Sequence, residues 1–166
     1  VTTQSILYGT YTTLTTTHLQ SLSNSATAGW QSAVIDNRTN LAVDYEIFVS
    51  LPMANTAPAS PYTAYVYAAP AVYTGSAWLI GDQGTTTLPT GSEGTTTIAS
   101  TNNLSSLGEL AYGTQNMTMQ NWFTLSNGLG NTIPEGVVII IINNTGAATQ
   151  SSGCVVAYRQ INYTFA

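Results

Sequence analysis

The chain has 166 residues, enough for one domain with a sizeable core, and 43% of them are hydrophobic, which excludes a disordered polymer. Only 5% are charged, Lys is absent, and Arg38 and Arg159 face seven acids for a net charge of −5. That balance excludes nucleic-acid binding, which needs cations to displace counterions from phosphates, and a basic membrane-surface helix.

With so few charges the surface is wetted by hydroxyls and amides. About one residue in six is Thr, whose β-branched side chain suits the solvent face of a strand. Such a surface meets its neighbours without strong repulsion, which favours a packed assembly, a secreted life, or both. The N-terminal "VTTQSILYGTY" has neither the basic region nor the apolar core of a secretory signal.

Taken in chain order, "TTHLQSLSN" gives the one helical hint: Leu19 and Leu22 are three apart and a Thr or Ser is placed to cap a single turn. "GWQSAVI" ends in the turn-forming "DNRTN" and is followed by "LAVDYEIFVSL". The latter alternates strictly, with Leu41, Val43, Tyr45, Ile47, Val49 and Leu51 on one face, and the pair predicts an antiparallel hairpin. "PYTAYVYAAP" and "AVYTGSAWLI" read as strands, with Pro61 and Pro70 limiting their ends or marking edges. "GTTTLPTGSEGTTTI", which carries GTTT at 84–87 and 94–97, reads as a loop or hairpin. "GELAYG" and "MTMQNWFTL" read as further strands.

"GVVIIII", residues 136–142, is too short for the ~20 residues of a membrane span. As a strand it covers about 23 Å, and an unbroken apolar run is the signature of a strand with both faces covered. Exposed, it would be an aggregation hazard, so it is predicted to lie in the middle of a sheet. "CVVAYRQINYTF" alternates, with Val155, Ala157, Arg159, Ile161, Tyr163 and Phe165 sharing one face. It becomes mixed towards its end, as in a strand that starts between two layers and finishes near a rim. Many short strands, frequent turn signals and few helix formers predict a single all-β domain over 1–166. The plan is an antiparallel sandwich of about eight or nine strands with at most one short helix.

No residue pattern carries catalysis. His18 is the sole histidine and no G-x-S-x-G accompanies it, so it reads as a surface or interface residue. The acids Asp36, Asp44, Glu46, Asp82, Glu93, Glu109 and Glu135 are dispersed. Asp44 and Glu46 share a strand face, the one arrangement open to a paired-carboxylate glycosidase, though a solvated face is the commoner meaning. Asp82 in "GDQG" and Glu93 in "GSEG" sit in Gly-rich loops without EF-hand spacing. Cys154, the only cysteine, permits no intrachain disulfide and reads as a small buried thiol. N-x-S/T sequons at Asn37, Asn103, Asn116, Asn143 and Asn162 arise readily in so Asn- and Thr-rich a chain. No catalytic, metal or cofactor site is assigned. Ten Tyr and three Trp are expected in the core and at interfaces, where exposed rings also stack on sugars.

Four stretches in order, "LQSLSNSATAGWQSAVIDNRTN" (19–40), "YTAYVYAAP" (62–70), "IPEGVVIIIINNTGAA" (133–148) and "VAYRQINYTF" (156–165), resemble a family of small virion structural proteins of tailed bacteriophages. The likeness covers about half the chain. It departs in "VVIIII", where the family pattern has a Lys-bearing strand, and in 75–130. The resemblance implies a jelly-roll-like sandwich on the capsid exterior, a decoration or cement protein bound to the phage major capsid protein and self-associated, with a trimer favoured. Two rival functions are a tail- or collar-associated receptor or glycan-binding module, motivated by the aromatics and by loops at 82–94 and 113–131, and a glycan-active enzyme using Asp44 and Glu46.

Overall fold

The computed structural model describes residues 3–81, 91–98, 101 and 104–165. They fold as two antiparallel sheets packed face to face, the jelly-roll-like sandwich expected. One sheet has five strands: β1 (Gln4–Tyr8), β12 (Val155–Phe165), β5 (Asp44–Pro52) and β10 (Thr118–Thr124) lie side by side, and the two-residue β2 (Thr12–Thr13) also pairs with β12. The other has seven: β7 (Trp78–Ile80), β6 (Thr63–Tyr73), β11 (Gly136–Asn144), β3 (Ala28–Gln31) and β8 (Gly94–Thr97), with β4 (Ile35–Asp36) on β11 and β9 (Ser105–Ala111) on β6. Among the described residues that exceeds the eight or nine strands expected. The N-terminal segment adds two strands that its polar composition concealed, and "GWQSAVI" breaks into two.

The aliphatic run forms β11, paired with β6 on one side and with β3 and β4 on the other. Val137, Ile139 and Ile141 point into the sandwich, where they meet Ile47, Val49, Leu51, Val66 and Val156. Val138, Ile140 and Ile142 point the other way into a second cluster with Ala69, Ile98 and Leu104. All six side chains are almost fully buried, each worth roughly 1.5–3 kcal/mol relative to exposure. The second face of the seven-stranded sheet is thus buried along its central strand by the chain itself. Where β3 gives way to β4, the Ser32 hydroxyl accepts the Ile139 N–H at 2.9 Å, so the ladder passes the irregularity without an orphan group.

Several sequence-based expectations need correction. "GWQSAVI" and "LAVDYEIFVSL" do not form a hairpin: β3 and β4 belong to one sheet and β5 to the other, so "DNRTN" carries the chain across the sandwich. A turn propensity fixes that the chain bends, not which sheet it enters. The alternation also overran the strand, for Leu41 and Val43 lie before β5 and are exposed. Pro70 does not end its strand. β6 continues to Tyr73, and the Pro70 carbonyl accepts from Gly81 N–H, away from β11. Its missing N–H therefore falls between the ends of β9 and β7, where no partner strand needs it.

Of the repeated GTTT, residues 84–87 lie outside the described residues, and 94–97 form β8 paired with β3. "TTHLQSLSN" yields one 3-10 turn, Thr17–Leu19, with Leu19 and Leu22 buried. Thr16 does not cap it; its hydroxyl donates to the Cys154 carbonyl instead. The α-helix described, α1 (Leu125–Leu129), follows β10 directly, so 113–131 is largely strand and helix rather than loop. β12 begins with Val156 buried in the core and ends exposed, as expected.

Candidate functional site

The five-stranded sheet turns its second face outward, and no described element lies over it. Register alone determines what stands there. Trp122 faces Phe48 on the neighbouring strand, Phe48 faces Ala157, and Glu46 faces Arg159. On the next strand Tyr8 faces Ile161 and Ile6 faces Tyr163. The inward partners of these residues, Tyr45, Ile47, Val49 and Val156, fill the core, so the period of two leaves no other place for the outward set.

This face is aromatic, with its charges at the Glu46–Arg159 pair and at Asp44. Trp122 is 56% exposed and packs against Phe48 with ring centroids 5.0 Å apart. The Arg159 guanidinium pairs with Glu46 at 2.9 Å and lies over the rings of Tyr8 and Tyr11, 4.6 and 4.9 Å from their centroids. The Tyr11 hydroxyl donates to the same Glu46 oxygen. Burial, and then the Glu46 carboxylate beside it, push the Tyr11 hydroxyl above its usual pKa, so it stays a neutral donor. Beyond this cluster Ile6, Tyr8, Ile161 and Tyr163, with Val43, Asp44, Ser126 and Asn131, line a groove of about 440 Å³.

Five of the seven acids singled out from sequence are committed to local partners. Asp44 and Glu46 do share the outward face, but Asp44 accepts the Ser126 N–H and hydroxyl at 3.0 and 2.5 Å, tying β5 to α1, while Glu46 is held by Arg159 and Tyr11. Glu93 lies elsewhere. It accepts the His18 backbone N–H, contacts His18 Nδ1 and accepts the Trp30 indole N–H, each at 2.8 Å, so His18 sits in a joint between the 3-10 turn and the seven-stranded sheet. Burial works to raise the Glu93 pKa, but the bonds from His18 and Trp30 outweigh it and hold the carboxyl below its usual range. Asp36 grips Arg38, which stacks on Tyr73 at 3.6 Å. Glu135 accepts the Tyr73 N–H, and Glu109 is exposed on β9. Asp82 lies outside the described residues.

Cys154 is buried against the Leu19 carbonyl, and burial raises its thiol pKa, which suits an inert side chain. Two sequons are structural. Asn143 is fully buried and donates to the Leu22 and Ala147 carbonyls; Asn37 accepts from Ala42 N–H and the Tyr45 hydroxyl. Asn116 and Asn162 are accessible, and Asn103 lies outside the described residues. Among the described residues no three His, Cys, Asp or Glu side chains converge as metal ligands, and no helix is long and apolar enough to cross a membrane.

Sequence reasoning placed Glu46, Phe48 and Arg159 on their strand faces but missed the surface they build with Tyr8, Tyr11 and Trp122. Comparison of the chain with protein-family models, curated proteins and solved structures finds no match.

Proposed function

We propose that the protein is a structural component of a phage virion, docking through the outer face of its five-stranded sheet onto the major capsid shell and stabilising it from outside. The observation that carries this reading is the asymmetry of the sandwich. The central strand of the seven-stranded sheet is buried on both faces, with exposure at Val72 and Leu79 near the β7 edge, whereas the five-stranded sheet leaves Trp122, Tyr8, Tyr11 and Ile6 open on its second face. Exposed Trp and Tyr beside an Arg are the residue types that dominate binding energy at interfaces. The groups that would do chemistry, Asp44 and Glu46, are instead engaged in holding elements together. The likeness to virion structural proteins supplies the partner.

The test is to add purified protein to shells that lack it. Wild-type protein binds and raises the temperature at which the shells disrupt. Trp122→Ala weakens binding by about 2 kcal/mol, roughly thirtyfold. Absence of binding by the wild type refutes the assignment.

A second reading, a glycan-binding module of tail or collar, draws on the same surface: an exposed indole next to the Glu46–Arg159 pair offers a stacking plane and hydrogen-bonding groups to a sugar ring. Copy number separates the two. A count that scales with the shell subunits favours the decoration role, and one that matches a single tail favours the glycan module.

A further inference from the structure

The N-terminal strand has one partner and an open second edge. Gly9 N–H donates to Gln160 O at 2.8 Å, and the register steps back from there as Tyr8↔Ile161, Leu7↔Asn162, Ile6↔Tyr163 and Ser5↔Thr164. Hydrogen-bonded and non-bonded pairs alternate in an antiparallel ladder, so Leu7 and Ser5 share the inward role of Gly9. Gln4, Ile6 and Tyr8 therefore turn their N–H and C=O groups away from β12, and no described residue accepts or donates there.

Edges of this kind are normally guarded by charge, proline, a bulge or short length. "QSILY" contains no charge and no proline, and all five of its residues are exposed. The other edges are less available: β7 and β8 run for only three and four residues, and β10 packs against β9 of the opposite sheet through Phe123 and Gly108. β1 is also well anchored, because the Arg159 guanidinium lies over the Tyr8 ring.

We infer that β1 pairs with β1 of a second copy, antiparallel and centred on Ile6. The three outward residues are symmetric about that centre. Ile6 meets Ile6 of the second copy, and Gln4 of each chain meets Tyr8 of the other. Each N–H then finds a C=O, six backbone bonds in all by this register. The occupant is a second copy because the edge complements itself in register and brings no charge against charge. A two-fold axis relating antiparallel strands runs perpendicular to the sheet, so the contact closes as a dimer rather than a trimer. It also sets both outer faces on the same side, as one continuous surface of two five-stranded sheets.

The experiment is sedimentation equilibrium of the full chain, free of any shell. The wild type sediments with the mass of two chains at micromolar concentration or above. Ile6→Pro removes one outward N–H without touching the bonds to β12, and Ile6→Lys places two ammonium groups at the axis. Each weakens self-association at least about tenfold, with unchanged circular dichroism. Trp122→Ala, on the sheet face, leaves the dimer intact. A monomer at every concentration, a mass of three chains, a dimer indifferent to both Ile6 substitutions, or one broken by Trp122→Ala overturns the inference. Because no capsid is present, the result stands apart from the docking experiment.

Discussion

Arg38 and Arg159 are held in the same manner, each paired with one carboxylate and laid over aromatic rings. In a protein with so few charges this keeps both guanidiniums close against the surface and paired with a carboxylate, although the buried Arg159 Nε has no hydrogen-bond partner among the described residues. Glu93 plays the corresponding part for a backbone joint, receiving three groups from His18 and Trp30. Its pKa is held below the usual carboxylate range, so its contribution to stability is full above that range. On acidification the unfolded chain takes up its proton first, and the contribution is lost as pH falls through the folded-state value. Thermal melts from neutral pH downward are therefore expected to show a falling midpoint, and Glu93→Gln flattens that fall. Equal slopes for the two proteins would mean that the joint carries no linkage.

At the scale of elements the legible parts were those whose pattern had one structural solution. β11 is an apolar run with no polar face, and only the centre of a covered sheet accommodates it. The prediction at this scale is that Ile141→Ala, which empties a fully buried position in the main core, costs about 2–5 kcal/mol in denaturant unfolding. A loss below about 1 kcal/mol would mean that the layers close over the gap more readily than close packing allows. Gly29 of β3 belongs to the same tight contact, since a Cβ there would stand 2.4 Å from the Ile141 carbonyl oxygen.

Other parts were illegible for physical reasons. "DNRTN" specifies a bend, but whether the next strand pairs beside the last or crosses to the opposite sheet depends on partners far away in the chain. "QSILY" lacks alternation because, as β1, it buries nothing, and Ile6, Leu7 and Tyr8 are all exposed. The proposed docking face was hidden for a third reason. Tyr8, Tyr11, Glu46, Phe48, Trp122 and Arg159 come from four separate segments and meet only through the pairing of β1, β12, β5 and β10.

For the whole molecule, the sandwich is a sheet whose central strand is buried on both sides packed against a sheet buried on one. The scarcity of charge suits the open face to a partner reached by shape and apolar area rather than by long-range attraction. Pairing through β1 would double that area without new kinds of contact and raise avidity through effective concentration. The central claim is that the outer face of the five-stranded sheet is the bound face. Hydroxyl-radical footprinting of the protein free and on intact particles tests it directly. Trp122, Tyr11 and Ile161 are expected to lose their labelling on the particle while Tyr62 and Leu79, exposed on the other sheet, keep theirs; equal labelling of Trp122 in both states, or protection confined to Tyr62 and Leu79, would contradict it.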